Sequence, residues 1–226
     1  MANNLAKKAA AKKAAEWIEN GMIVGLGTGS TTAYFIECLA EKVHKGLSIQ
    51  AVASSENTKE LAAQKTIPLI DLNDAPRIDI TVDGADEIDP KKRMIKGGGG
   101  ALVREKILAF TSKEMVVIVD MSKVVNALGK RKLPVEILTF GAPFTRKKLE
   151  QAGFQGAWRK NEQGAFYVTE NGNFLFDIVF SHLLQSPEEE HTIIRNIPGV
   201  IDTGFFFGIA GRVIVGYPDG NVKILA

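Results

Sequence analysis

The fold of this chain is indicated by residues 22–45, which read MIVGLGTGSTTAYFIECLAEKVHK. Met22–Gly25 carries no polar side chain, as in a strand that is buried on both faces of a sheet. Ser30–Lys45 follows with apolar residues about one helical turn apart. A strand that leads through a glycine-rich turn into a helix is the first half of a βαβ unit, so this stretch predicts a parallel sheet.

The same alternation continues to about residue 130. It predicts strands and helices at Ile49–Ala53, Thr58–Lys65, Leu69–Leu72, Ile78–Val82, Ala101–Phe110 and Met115–Asp120. Strands that alternate with helices form a mostly parallel sheet covered on both faces, and such sheets bind ligands at the carboxyl ends of their strands. We therefore expect the motifs that follow these strands to lie along one edge of the sheet.

Beyond Lys130 the pattern changes to strands joined by tight turns. The predicted elements are Leu133–Phe140, Thr145–Ala152, Phe154–Lys160, Ala165–Thr169, Phe174–Phe180 and Pro187–Arg195. The last two apolar runs, Arg212–Tyr217 and Val222–Leu225, are expected to return to the first sheet. The predicted fold is α/β, with a Rossmann-like, mostly parallel sheet domain in residues 1–130 and 207–226 and a smaller α+β (ferredoxin-like) domain in residues 131–206.

Composition narrows the class of protein. Hydrophobic residues make up 45% of the chain and charged residues 24%, which is ordinary for a globular protein. The formal net charge of +2 is too small to indicate a nucleic-acid partner, and no apolar run approaches the roughly 20 residues of a membrane span. The single cysteine, Cys38, excludes an internal disulfide and a multi-cysteine metal site, and fits a reducing, cytoplasmic location.

The first residues predict a helix rather than a targeting segment. Lysines stand at the start, but no apolar core of a signal peptide follows them. We expect a helix that ends at Gly21 and buries Leu5, Ala9, Trp17 and Ile18.

The turn Gly25–Thr32 is the first of three clusters that can carry chemistry. Its glycines let a ligand approach the backbone, and the free amides at the start of the next helix favour an anion. Hydroxyl groups at Thr28, Ser30 and Thr31 suit phosphate oxygens. The dinucleotide fingerprint requires a third glycine where Ser30 stands. Two interpretations stay open at this point, a phosphate-binding loop and a tight turn with Ser30 as N-cap.

The second cluster, Asp83-Gly84-Ala85-Asp86-Glu87-Ile88-Asp89, directly follows the strand predicted at Ile78–Val82. Like charges repel, so crowding four carboxylates there indicates a purpose. They could bind a hard cation, orient sugar hydroxyls or move protons. A solvated acidic loop is the simpler alternative.

The third cluster runs from Lys96 through four glycines, Gly97–Gly100, to Glu105 early in the next predicted helix. Ordering consecutive glycines costs conformational entropy, so their amides are expected to have a fixed role, such as an anion-binding nest. The alternative is a flexible loop, with Glu105 complementing the helix dipole.

Together these clusters resemble type A ribose-5-phosphate isomerase. The resemblance covers the whole chain, and the family's motifs occur in order at Gly27–Thr32, Ser54–Thr58, Asp83–Asp89, Lys96–Glu105, Asp120–Lys123, Leu133–Glu136 and Gly199–Phe206. It implies an aldose–ketose isomerase of the pentose phosphate pathway that converts ribose 5-phosphate to ribulose 5-phosphate without a metal or another cofactor. It also implies a homodimer or tetramer, with the smaller domain as the candidate oligomerisation lobe.

The resemblance also assigns the site. It implies Glu105 as the general base, and substrate-binding positions at Thr28, Gly29, Ser30, Thr31, Asp83, Gly84, Ala85, Asp86, Lys96, Gly97, Gly98, Gly99 and Lys123. Lys96 and the glycine amides suit an enediolate oxyanion, and Asp83 and Asp86 suit ring opening and transfer of hydroxyl protons.

Two alternatives belong to other classes of function. A coenzyme A transferase subunit shares the general fold and uses a glutamate as nucleophile, but the loops at Asp83 and Lys96 disfavour it. A non-catalytic sugar-phosphate sensor would need a DNA-binding module, for which no segment remains.

Overall fold

The computed structural model describes residues 2–225. The helices are α1 (Ala2–Ala15), α2 (Ser30–His44), α3 (Glu56–Gln64), α4 (Leu102–Thr111), α5 (Ala142–Gln151) and α6 (Pro187–Arg195). The strands are β1 (Ile23–Leu26), β2 (Gln50–Ala53), β3 (Ile80–Asp83), β4 (Glu87–Ile88), β5 (Met94–Ile95), β6 (Met115–Asp120), β7 (Leu133–Ile137), β8 (Gly156–Trp158), β9 (Phe174–Ile178), β10 (Val200–Thr203), β11 (Phe205–Phe206), β12 (Ala210–Gly216) and β13 (Val222–Leu225). Short 3-10 turns occupy Leu72–Asp74 and Met121–Lys123.

The chain divides into two compact units. The first unit comprises Met1–Ala85, Arg104–Val124 and Gly208–Ala226, and the second comprises Asp86–Val103 and Val125–Phe207. The sequence placed residues 86–103 in the first domain. They belong to the second unit because β4 and β5 pair with each other and with β11 in a three-stranded antiparallel sheet.

A six-stranded sheet organises the first unit, in the order β13-β12-β6-β3-β1-β2. All neighbouring pairs are parallel except β12 with β13, which is antiparallel. The predicted return of the final apolar runs to this sheet is therefore confirmed, as is the mostly parallel α/β fold. The carboxyl ends of β1, β2 and β3 lead into residues 27–32, 54–58 and 84–85.

An alanine face of α1 packs in the core of the first unit. Ala6, Ala10 and Ala14 are fully buried, whereas Leu5 is 48% exposed and Ala9 is half-buried, so the predicted face was wrong at those two positions. Small side chains allow a close approach. A Cβ atom on Gly216 of β12 would lie 1.9 Å from the Ala6 carbonyl oxygen. A larger face on α1 would hold the helix away from the sheet.

The second unit contains the order β7-α5-β8-β9-α6-β10 along the chain. Its four-stranded antiparallel sheet has the order β10-β7-β9-β8. This is the βαββαβ arrangement of ferredoxin-like folds, so the predicted class of the smaller domain is confirmed. Its core includes Leu133, Phe176 and Ile194, and Phe205 lies in the same cluster.

Two predicted strands are reduced to isolated bridges. Leu69 pairs only with Ala51, because the chain turns into the 3-10 segment that Asp71 caps. Within Ala165–Thr169, only Phe166 and Val168 form bridges, to Lys160 and Phe174. Within residues 2–225, no helix is both long enough and apolar enough to cross a membrane.

Candidate active site

Asp83 organises the first glycine turn. Its Oδ1 atom accepts hydrogen bonds from the Thr28 amide at 3.1 Å, the Gly84 amide at 2.7 Å and the Thr32 hydroxyl at 3.4 Å. Gly27 must be glycine here, since a Cβ atom at this position would lie 1.9 Å from the Asp83 carboxyl carbon. The last residue of β3 thus fixes the turn that follows β1.

A hydroxyl cluster holds Thr28 from its other side. Thr28 Oγ1 lies 2.8 Å from Ser54 Oγ and donates to Ser55 Oγ at 2.9 Å. Thr58 Oγ1 donates to the Gly27 carbonyl at 2.8 Å, and Ser55 caps α3 by accepting from the Thr58 amide. The segment Ser54–Thr58, which carries part of the resemblance, therefore supports the turn that contains Thr28.

The start of α2 is suited to an anion. Its N-cap is Gly29, with φ of 125°, and no side chain caps the first amides, so the interpretation with Ser30 as N-cap is wrong. Ser30 and Gly29 are exposed, whereas Thr31 and Thr32 are buried. Uncapped amides and the helix dipole both favour negative charge at this end.

Lys7 was not among the residues that the sequence singled out. Its Nζ donates to Ser30 Oγ at 2.9 Å, which places a cation beside the start of α2. Lys7 lies 23 positions before Ser30, among other lysines of α1, and only the packing of α1 against α2 identifies it.

Lys123, which was predicted as a ligand, lies in the 3-10 turn after β6 and is half-buried. Asp120 caps this turn by accepting a hydrogen bond from the Ser122 amide.

Glu105 lies in the first turn of α4 and is 3% exposed. A glutamate that only complements a helix dipole would ordinarily remain in water, because burying a carboxylate is costly. Its neighbour Arg104 forms an ion pair with Glu56, with 3.7 Å between Arg104 Nη1 and Glu56 Oε1. Glu105 is one of several buried carboxylates, and what distinguishes it is its position in the helix turn that directly follows the glycine run.

In the second unit, Asp86 binds the glycine run. Asp86 Oδ2 accepts from the Gly98 amide at 2.8 Å, and a Cβ atom on Gly98 would lie within 2.9 Å of both carboxylate oxygens. The Gly100 amide donates to the Gly97 carbonyl at 3.0 Å. Gly97 and Gly100 both have positive φ angles, of 94° and 89°. The run is thus a hydrogen-bonded turn in which the Gly98 amide has a fixed partner.

Lys96 is 2% exposed, which is unusual for an ammonium group. Its amide donates to the Gly204 carbonyl at 2.8 Å, and its Nζ lies 5.3 Å from the centre of the Phe206 ring. The aromatic face stabilises the cation electrostatically. Phe206 is itself fully buried, as is its neighbour Phe205.

The remaining acids of the second cluster hold local structure. Glu87 Oε2 accepts from the Gly129 amide at 2.8 Å, and Glu87 Oε1 accepts from the Arg131 amide. Burial raises the pKa of the Glu87 carboxyl, although these amides act in the opposite direction. Asp89 accepts from Arg93 Nε at 2.7 Å. Within residues 2–225, no three His, Cys, Asp or Glu side chains are grouped so that they could hold a metal ion.

The predicted site residues fall in both units. Thr28–Thr31, Asp83–Ala85, Glu105 and Lys123 belong to the first unit, where Thr28 and Gly84 contact Asp83. Asp86 and Lys96–Gly99 belong to the second, where Gly98 contacts Asp86. The chain passes between units at Ala85–Asp86 and again at Val103–Arg104, within or beside the same two motifs.

Comparison with known proteins identifies the family. The family model described as ribose 5-phosphate isomerase A (phosphoriboisomerase A) matches residues 50–220. A ribose-5-phosphate isomerase A from Protochlamydia amoebophila is 50% identical over 221 residues, which cover 98% of this chain and 95% of that protein. Another of that name, from Parvibaculum lavamentivorans, is 48% identical, with 95% of each chain covered.

Solved structures agree with the sequence relatives. A D-ribose-5-phosphate isomerase in complex with phospho-erythronic acid has a TM-score of 0.92 and 39% identity to this chain, and the match covers 97% of this chain and 96% of that one. Similarity of this extent favours the isomerase over the coenzyme A transferase alternative. This chain belongs to the ribose 5-phosphate isomerase A family, whose members are isomerases of ribose 5-phosphate.

Proposed function

We propose that this chain interconverts D-ribose 5-phosphate and D-ribulose 5-phosphate through an enediolate, with Glu105 as the base. The observation that carries the assignment of Glu105 is its burial, at 3% exposure, in the first turn of the helix that follows the glycine run. A carboxylate held at the start of a helix is a positioned group that can act as a general base toward a carbon-bound proton.

The reaction moves a carbonyl between C1 and C2 of the open-chain sugar. Glu105 removes the proton from C2 of the aldose, and the electron pair left on carbon forms the enediolate as the carbonyl oxygen gains negative charge. The protonated Glu105 then returns the proton to C1, while the hydroxyl proton on O2 passes to O1 and C2 becomes the carbonyl carbon, which gives the ketose. One carboxylate on one face of the substrate serves both steps.

The phosphate is held by the first glycine turn in this proposal. The uncapped amides at the start of α2, the hydroxyls of Ser30 and Thr31, and the ammonium groups of Lys7 and Lys123 supply donors and positive charge. Binding energy at the phosphate orients the reacting carbons, so it contributes to turnover as well as to affinity.

The enediolate is stabilised by Lys96 and the amides of Gly97–Gly99. A buried ammonium keeps its charge close to the oxyanion without intervening water, which strengthens the attraction. Asp83 and Asp86 transfer hydroxyl protons when the furanose ring opens. The related isomerase was solved in complex with phospho-erythronic acid, a compound that carries both a phosphate and a carboxyl group. That ligand supports a site that binds both charges.

The proposal includes a cytoplasmic homo-oligomer, a dimer or a tetramer. Support comes from the second unit, in which Phe140, on the segment between β7 and α5, is 87% exposed and Phe144, in the first turn of α5, is 77% exposed. Exposed aromatic side chains so close together are typical of protein interfaces. Light scattering of the wild type and of Phe140→Ser tests this, and a wild-type monomer at micromolar concentration would contradict it.

Glu105→Gln tests the function directly. General-base catalysis contributes about 10²–10⁴-fold, so the variant should lose at least that factor in kcat while still binding the phosphate. The measurement is formation of ribulose 5-phosphate from ribose 5-phosphate. Glu37 is an exposed carboxylate on α2, so Glu37→Gln is the matched control and should retain full activity. A Glu105→Gln enzyme with half of the wild-type rate would defeat the assignment.

The route of the hydrogen distinguishes an enediolate from a hydride shift assisted by metals. In heavy water with a chelator, activity should persist and solvent deuterium should enter the transferred C1/C2 position. The extent depends on how fast protonated Glu105 exchanges before it returns the proton. Chelator-sensitive activity with full retention of the original hydrogen would require Asp83, Asp86 and Glu87 to be reinterpreted as metal ligands.

A further inference from the structure

Arg159 contacts the backbone of the glycine run in the second unit. One nitrogen of its guanidinium, Nη1, donates to the Gly97 carbonyl and to the Gly98 carbonyl, each at 3.0 Å. The rest of the guanidinium faces Asp177 on β9, with Nε 3.0 Å from Oδ2 and Nη2 2.5 Å from Oδ1. The guanidinium thus makes four hydrogen bonds, two to the glycine carbonyls and two to the carboxylate of Asp177.

The sheet holds this arginine firmly. The Arg159 amide donates to the Leu175 carbonyl at 2.8 Å, and its carbonyl accepts from the Tyr167 amide at 2.9 Å. The side chains of Arg159 and Asp177 are 16% and 12% exposed, so the ion pair is largely screened from water. A bidentate pair of this kind fixes the plane of the guanidinium as well as its position.

A trans peptide is planar, with its C=O and N–H pointing in opposite directions. The peptide between Gly97 and Gly98 is held on both sides, since its carbonyl accepts from Arg159 and its N–H donates to Asp86. The next peptide, between Gly98 and Gly99, has its carbonyl held by the same nitrogen. The Gly99 N–H must therefore point away from the guanidinium. A cation on the carbonyl also polarises the peptide, which makes this N–H a better donor.

We propose that the Arg159–Asp177 pair is a positioning device for the isomerisation, which fixes the Gly98–Gly99 peptide so that the Gly99 amide is presented to the negative charge that develops on the substrate. The inference rests on the proposed function. Arg159 touches no reacting atom in this account. Its effect is on the orientation of an oxyanion donor, and donors of this kind act mainly in the transition state.

The test compares Arg159→Lys, Arg159→Ala and Asp177→Asn with Lys160→Ala, an exposed neighbour that should behave as wild type. Lysine keeps the charge but cannot form the fork, so both Arg159 variants should lose about 10²-fold in kcat with KM changed by less than about threefold. Asp177→Asn keeps one hydrogen-bond acceptor for Arg159, so its kcat should fall about tenfold. Affinity for phospho-erythronic acid, measured by calorimetry, should fall by the same factor as kcat.

Chemical rescue separates positioning from a purely structural role. Guanidinium ion at tens of millimolar should restore a large part of kcat to Arg159→Ala, whereas methylammonium at the same concentration should not. Thermal unfolding is followed in parallel, so that loss of folded protein is distinguished from loss of rate. A folded Arg159→Ala enzyme with wild-type kcat, whether or not its KM is raised, would overturn the inference. So would activity that falls only in proportion to the folded fraction and shows no guanidinium rescue.

The outcomes distinguish this inference from the function on which it rests. A wild-type enzyme that does not isomerise ribose 5-phosphate, or an active Glu105→Gln variant, would defeat the proposed function itself. An active wild type, an inactive Glu105→Gln variant and a fully active Arg159→Ala variant would leave the function in place and defeat the positioning role alone.

Discussion

The two glycine turns of this protein are both proposed to bind anions, but different groups fix their peptide planes. In the turn at Gly27–Thr32, the carboxylate of Asp83 accepts from the Thr28 amide and the Thr32 hydroxyl. In the turn at Lys96–Gly100, the carboxylate of Asp86 accepts from the Gly98 amide, and the guanidinium of Arg159 donates to the Gly97 and Gly98 carbonyls. The first arrangement leaves the amides at the start of α2 without a side-chain cap. The second turns the Gly99 amide away from the guanidinium. A glycine-rich sequence thus becomes a defined set of donors only through the groups that fix its peptide planes.

The largest expected effect comes from removing the charge that the first turn is proposed to hold. Ribose without the phosphate should have a kcat/KM at least about 10³-fold below that of ribose 5-phosphate, with kcat itself reduced, because remote binding energy orients the reacting carbons. Steady-state kinetics on both sugars measure this. Equal specificity constants would show that the first turn does not bind phosphate.

A methyl group on Gly27 should break the first turn. The added Cβ atom would lie 1.9 Å from the Asp83 carboxyl carbon, so the turn and the carboxylate must separate. We expect Gly27→Ala to lower kcat/KM about 10²-fold, largely through a higher KM. Gly46→Ala is the control, since no atom lies within 4 Å of the added Cβ atom there; its positive φ of 102°, which Gly27 lacks, makes it a strict test of backbone strain without a clash. If Gly27→Ala kept the wild-type KM, Asp83 would not be what orders the phosphate site.

The second turn should respond in kcat rather than in KM. In Gly98→Ala the new Cβ atom would lie 2.8 Å from Asp86 Oδ1, which shifts the peptides on either side of it. We expect a loss of about tenfold to 10²-fold in kcat with little change in KM, because an oxyanion donor acts on the transition state. If Gly27→Ala and Gly98→Ala changed KM and kcat in the same way, the proposed difference in role between the two turns would be contradicted.

The smallest effect on activity is expected at the opposite end of the central strands. Asp79, just before β3, accepts from Lys113 Nζ at 2.8 Å, the Ile23 amide at 2.9 Å and Arg77 Nε at 2.9 Å. Burial alone would raise its pKa, but these donors together lower the pKa to about 2. Asp79→Asn should therefore reduce the free energy of unfolding by about 1–2 kcal/mol at pH 7 and leave kcat unchanged.

The pH dependence of that difference follows from the lowered pKa. The stabilisation by Asp79 is present above its unfolded pKa near 3.8 and is lost as the pH falls toward about 2. Urea unfolding of the wild type and of Asp79→Asn between pH 7 and pH 2 measures it. A stability difference that persists unchanged at pH 2, or a loss of kcat at pH 7, would contradict the assignment of Asp79 to stability alone.

Local patterns predicted some elements with their bounds. β6, α6 and β13 have the predicted bounds, because a long apolar run, a proline before a run of acids, and the turn at Pro218–Gly220 are strong local signals. The first helix was expected to end at Gly21 and ends at Ala15. The strands β4, β5 and β11 were not predicted. Each has two residues, too few to show a period, and β11 pairs with β5 from a distant part of the chain, Phe205 with Ile95.

The sequence by itself determined the mostly parallel fold, the family and the positions of the three motifs, since each depends on residue types close together in the chain. It also identified Glu105 through the resemblance, although its burial is a property of the folded protein. Only the tertiary structure revealed Lys7 beside Ser30 and Arg159 on the glycine carbonyls. Arg159 lies 62 positions from Gly97, on a hairpin with no chemical motif of its own. A long-range hydrogen bond to a backbone carbonyl depends on where the carbonyl is, not on which residue carries it, and so leaves no signature in one sequence.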